Sequence, residues 1–132
     1  MAYITLTDLQ TRYGAGELIK LADRNGDNVP DQDVVDAAIV DAESVIDSHL
    51  AGGYVLPLNP VPSLIVRLAC SIARYHLYDD NPAEKVREDY EAAKLTLHKI
   101  STGELKLISE GGGLASPGYS EGEKQFNAIN EY

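Results

Sequence analysis

The residues whose types and spacing come nearest to a chemical device are DRNGDNVPDQD, residues 23–33. Calcium loops take oxygen ligands from positions 1, 3, 5, 7, 9 and 12, with Gly at position 6 and a bidentate carboxylate at position 12. Counted from Asp23, positions 3, 5 and 9 are Asn25, Asp27 and Asp31, all suited to a hard cation. The pattern then fails. Position 6 is Asn28, with the glycine displaced to Gly26, position 8 is Pro30, and position 12 is Val34. Val34 belongs to the apolar stripe of the segment that follows, so no small shift of register repairs the loop. Water would have to complete the shell, and affinity should be poor. The stretch reads instead as a turn that places negative charge before a helix N-terminus, where the helix dipole favours it.

The other reactive residues are more scattered. Cys70 sits between Ala69 and Ser71 in an apolar run, with no base nearby in sequence to activate it, and reads as a small buried hydrophobe. His49, His76 and His98 match no metal-ligand spacing. Gly111-Gly112-Gly113 follows no clear strand and lacks the lysine of a phosphate-binding loop. These residues predict no catalytic centre, no metal site and no cofactor. Arg67, Ser71, Arg74 and Tyr78 recur in steps of four, three and four. They read as a solvated helix face, or as arginines placed to pair with a neighbouring subunit's carboxylates.

Composition narrows the classes of function. A chain of 132 residues is expected to form one domain with its own core. A single cysteine excludes an intrachain disulfide and a cysteine-built zinc site, and suits a reducing compartment. No apolar run approaches the ~20 residues of a membrane span. The opening MAYITLTDLQ lacks the regions of a signal peptide, so a cytoplasmic protein is expected. Eleven basic residues against 21 acidic ones give a net charge of −10, which opposes groove binding to nucleic acid but not the enclosing of DNA without gripping it. Eight Tyr against one Phe and no Trp favour half-buried positions and interfaces.

The elements that must carry these residues follow from periodicity. Thr7-Asp8-Leu9-Gln10 has capping-box spacing, Gly14 can end the short helix it opens, and GELIKLAD predicts a second short helix. From about Asp31 to Leu50, Val34, Val35, Ala38, Ile39, Ala42, Val45, Ile46 and Leu50 form one stripe, with Asp36, Asp41, Glu43 and Asp47 opposite. AGGYVLPLNPVP breaks that helix. Ser63 then caps a second long helix with the inner stripe Leu64, Ile65, Leu68, Ala69, Ile72 and His76. Asn81-Pro82-Ala83-Glu84 predicts the start of a third, with the seam Val86, Tyr90, Ala93, Leu97 and Ile100, ending at Gly103. ELKLI suggests a short strand or an extended arm. The fold class expected is all-α: a small bundle of three longer helices with short N-terminal helices, a Pro-rich loop and an extended tail. Residues 1–108 form the helical body. Residues 109–132, rich in Gly, Ser and Glu, are expected to form an arm that becomes ordered on a partner, with Leu114, Tyr119, Phe126, Ile129 and Tyr132 spaced along it as anchors; the alternative is a frayed terminus.

The stretch YITLTDLQTRYGAGELIKLADRNGDNVPDQDVVDAAIVDAESVIDSHLAGGYVLPL, followed by VRLACSIARYHLYDD, resembles the Mu-like phage and prophage protein family assigned to the virion neck. Members of that family are similar to the small helical head–tail connector, or head-completion, proteins of tailed phages. The resemblance covers residues 3 to 107. It is carried by Asp8-Leu9 with Arg12-Tyr13-Gly14, the acidic turn to Asp31, Tyr54 with Leu56-Pro57-Leu58, and Ile72-Ala73-Arg74-Tyr75. Gly53 stands where members often have Arg, and Asn28 where they have Gly. The resemblance implies a non-enzymatic virion protein, made in the host cytoplasm, that forms a homo-oligomeric ring of twelve between the portal protein and a stopper or tail-completion protein. DNA would pass through without specific binding. The interface residues expected in that setting are Tyr54, Leu56, Pro57 and Leu58 of the stiff loop, Arg67 and Arg74, and Tyr119, Phe126, Ile129 and Tyr132 of the arm. A small calcium-responsive helical binding module is the competing expectation.

Overall fold

A computed structural model describes residues 2–78 and 82–107. Five helices follow in order: α1 (Leu6–Tyr13), α2 (Ala15–Ala22), α3 (Gln32–Leu50), α4 (Ser63–Leu77) and α5 (Glu84–Ser101). There is no strand among the described residues, and the all-α expectation holds. Glu104–Leu107, the described part of the segment read as strand or arm, is irregular and ends with Leu107 in the core.

The helices form where the apolar steps of three and four place them. Val35, Ala38, Ile39, Ala42, Ile46 and Leu50 line the buried stripe of α3. They meet Ile65, Leu68, Ala69, Ile72, Ala73 and Leu77 of α4. Ala93, Leu97 and Ile100 of α5 close the third side. The three long helices thus share one core, and no charged or polar residue is buried in it. Leu9 of α1, and Leu18 and Ala22 of α2, join the same core and fasten the N-terminal hairpin to it. Gly14 ends α1 and starts α2 at φ 92, a left-handed conformation that costs any residue with a Cβ.

Helix starts differ from expectation in three places. The first capping box belongs to Thr5, not Thr7: the Asp8 N–H donates to the Thr5 hydroxyl at 3.3 Å, and the Thr5 N–H donates to the Asp8 carboxylate at 2.9 Å. This earlier start sets Leu9 fully inside. Pro62, with φ −63, occupies the cap position of α4, and Ser63 is the first helical residue. Helix α5 starts at Glu84 from Ala83; Asn81, the expected cap, lies outside the described residues. His76, expected on the inner stripe of α4, is only half-buried, while Cys70, Ala73 and Leu77 take the inward positions.

Candidate assembly surface

The segment between α3 and α4 is pinned from two sides. Leu58 lies in the core at 2% exposure, and its N–H donates to the Tyr3 hydroxyl at 3.1 Å. That hydroxyl in turn donates to the Asp47 carboxylate at 2.6 Å, and the Tyr3 N–H donates to Glu43. Burial and the bond to Asp47 push the Tyr3 phenol up to about 12. At the other end, the Leu107 N–H donates to the Tyr54 hydroxyl at 3.2 Å. Tyr54 and Leu56 pack half-buried against the core. Between these anchors Val55 is 53% exposed and Pro57 is exposed. The Leu56–Pro57 and Asn59–Pro60 peptide bonds are cis.

The loop therefore presents a different set of residues from the one expected. Leu58 is spent on the core and offers nothing to a neighbour. Val55, outside the expected set, is the loop's large apolar side chain on the outside.

The two arginines of α4 also part ways. Arg74 reaches Glu17 of α2 through two hydrogen bonds, Nε at 2.7 Å and Nη2 at 3.1 Å, and its guanidinium lies 4.2 Å from the Tyr13 ring centroid. Burial works against its charge, but the bonds to Glu17 and its negative charge outweigh that, holding the Arg74 pKa above its ordinary value. The Tyr78 hydroxyl approaches the same carboxylate at 3.4 Å. Arg74 thus takes, inside its own chain, the carboxylate partner that was expected from a neighbour. Arg67 remains exposed. It borders a cleft of about 260 Å³ between α4 and α5, with Tyr13, Ser71, Asp89 and Thr96 around it.

In the acidic turn, Asp23 acts as a hub. It accepts from the N–H groups of Gly26 at 2.8 Å, Asp27 at 3.2 Å and Asn28 at 2.8 Å. Burial opposes its charge, yet those three donors prevail and hold the carboxyl below the usual range. The Arg24 N–H donates to Asp31, and the Asp31 N–H to the Ala22 carbonyl, closing the turn. Asn28 takes φ 67 at the position where calcium loops use glycine, a conformation Asn tolerates better than most. One oxygen each of Asp23, Asp27 and Asp31 lies within 4.8 Å of the others, so among the described residues the turn gathers three carboxylates without a fourth to close a shell. Val34, at the closing position, packs against the core and supplies none.

Cys70 is fully buried, and burial pushes its thiol up to about 11. The His49 ring bonds the Val45 carbonyl through Nδ1 at 2.8 Å, His76 stands edge-on to Tyr75 and Tyr90, and His98 is exposed. The expected anchors Tyr119, Phe126, Ile129 and Tyr132 lie outside the described residues.

Among the described residues, no helix is long and apolar enough to cross a membrane. What the fold and surface define is a small all-α protein with a pinned, outward-facing loop and an acidic flank. The family described as Bacteriophage Mu, Gp36 matches residues 3–125, and the chain belongs to it. It is similar to gene product J of Escherichia phage Mu, 36% identical over 124 residues, covering 93% of this chain and 86% of that one. It is also similar to the Mu-like prophage FluMu protein gp36 of Haemophilus influenzae, 42% identical over 77 residues, covering 58% and 55% of the two chains.

Proposed function

We propose that this chain is a non-enzymatic virion structural protein of the phage neck: a head–tail adaptor whose copies form a ring between the portal protein and the stopper or tail-completion protein. The supporting observation is the loop, in a protein of Mu-like phages and prophages. Val55 and Pro57 stand exposed on backbone that Tyr3 and Tyr54 hold from either side. A contact made by an already ordered segment avoids the ordering cost of about 1–2 kcal/mol per residue. The helical body supplies the ring wall, and residues 109–132 become ordered on the portal or on an adjacent subunit. The charge of −10 lets DNA pass the channel without adhering.

Electron microscopy of purified particles carrying a tagged copy of the chain tests this reading. Label at the head–tail junction is expected; infectious particles that lack the polypeptide would overturn it. Deleting residues 110–132 should abolish attachment to portal-bearing heads while leaving the helical circular dichroism of the body intact. Unchanged attachment refutes the role of the arm.

A further inference from the structure

Charge along the described chain is segregated. Residues 23–50 carry eight acids and, as their only Lys or Arg, Arg24, whereas α4 carries Arg67 and Arg74 and no acid. Glu43 and Asp47 are bound to Tyr3. The acids left on the outward face of α3 are Asp33, Asp36 and Asp41, all exposed. Helical spacing puts Asp33, Ala37, Val40 and Ser44 down the centre of that face, with Asp36 and Asp41 on its two flanks. In the middle of this polar ridge Val40 is 56% exposed, an apolar knob between carboxylates.

The α4–α5 cleft is its complement. Arg67 stands at the rim without a carboxylate partner among the described residues, while Arg74, two turns further along α4, has one. Asp89 also lines the cleft but is paired with Lys85 at 3.0 Å, which leaves Arg67 as the cleft charge with no partner among the described residues. Ala92 is the exposed apolar residue of the floor, over the buried Leu68 and Ala93. No α3 residue lines the cleft, so ridge and cleft are separate surfaces of one molecule. A contact between them is heterologous, the kind that closes into a ring or runs on as a filament.

Resting on the ring reading above, we propose that the α3 ridge of one copy docks in the α4–α5 cleft of the next, with Val40 on the apolar floor and Asp36 or Asp41 at Arg67. The occupant is a second copy of this chain because the ridge supplies both halves of what the cleft accepts, a carboxylate and a small apolar group. Segregation also allows attraction at this contact despite the repulsion between two strongly acidic molecules.

Sedimentation velocity of the purified full-length chain at low salt, with Arg67→Glu, with the pair Asp36→Arg and Asp41→Arg, and with all three together, tests the contact. All three positions are exposed, and circular dichroism checks that each variant keeps its helices. The wild-type chain is expected to self-associate, either reversal alone to weaken association about tenfold or more, and the combined swap to restore it to within about threefold. A wild-type chain that stays monomeric up to about 1 mM, reversals without effect, or a swap that fails to restore association would each overturn the proposal. Particle labelling judges the ring reading separately: label at the junction with no rescue by the swap removes this contact and leaves the ring standing.

Discussion

Replacing Arg74 with Met should loosen the N-terminal hairpin measurably. The side chain makes two charge-assisted bonds to Glu17 and lies over Tyr13, with side-chain exposures of 18% and 22% for the two charged partners. Hydrogen bonds to charged groups contribute about 1.5–3 kcal/mol. Partial exposure argues for the lower end of that range. The stacking over Tyr13 adds about 0.5–1 kcal/mol. Met keeps part of the stem packing, so the net loss should be about 2 kcal/mol. For a chain of this size that is a fall in Tm of roughly 6–10 °C. Arg74→Lys, which keeps the charge but loses the planar fork, should lose about half as much. Differential scanning calorimetry of wild type, Arg74→Met, Glu17→Gln and the double variant should give a coupling of about 1–2 kcal/mol. A single variant within about 2 °C of wild type, or a coupling below about 0.3 kcal/mol, would refute the clamp as a stabilising feature.

Three further outcomes follow from the same contacts. Tyr3→Phe strands the buried Leu58 N–H and should cost about 1–3 kcal/mol at neutral pH by urea denaturation. The same variant should lose an alkaline limb: above pH 10 the unfolded tyrosine ionises while the folded one holds its proton to about 12, so wild-type stability falls across that interval. Cys70 should react with a disulfide reagent at least about a hundredfold more slowly in the native state than in denaturant, because burial both shields the thiol and keeps it protonated. Calcium at 1 mM should raise Tm by less than about 2 °C, since the Asp23, Asp27 and Asp31 oxygens lack a closing carboxylate; a clear rise would revive the calcium-responsive module.

The long helices were legible because each element announces itself locally. Steps of three and four fix the stripes of α3, α4 and α5, and the Gly52–Gly53 pair, the prolines and Gly103 mark their limits. Cys70 was legible for the same reason, since its neighbours are apolar at helical spacing. What the sequence hid was set by contacts far along the chain. Arg67 and Arg74 have equivalent positions in the repeat, yet the fold brings Glu17, 57 residues away, to one and not the other. Leu58 has the sequence context of an outward apolar loop, but Tyr3, 55 residues away, holds its backbone. Thr5 and Thr7 offer the same hydroxyl, and the competition is decided by which one leaves Leu9 pointing inward and Asp8 within reach of the cap.

Helix α3 joins these observations because its faces are spent differently. Its inner stripe builds the core, and Glu43 and Asp47 on its edge hold Tyr3, whose hydroxyl in turn holds Leu58. The loop's position is thus set by the same helix that carries the acidic ridge, so ridge and loop tip form one rigid unit rather than two independently placed contacts. In a ring, rigidity of this kind matters more than the strength of any one contact. A repeated subunit closes only if each copy adds the same rotation, and weak contacts reinforce one another only when the geometry lets all of them engage at once. Loosening Tyr3 would then cost more in assembly than in stability, because the folded body survives the loss of a hydrogen bond more easily than a closed ring survives a variable angle.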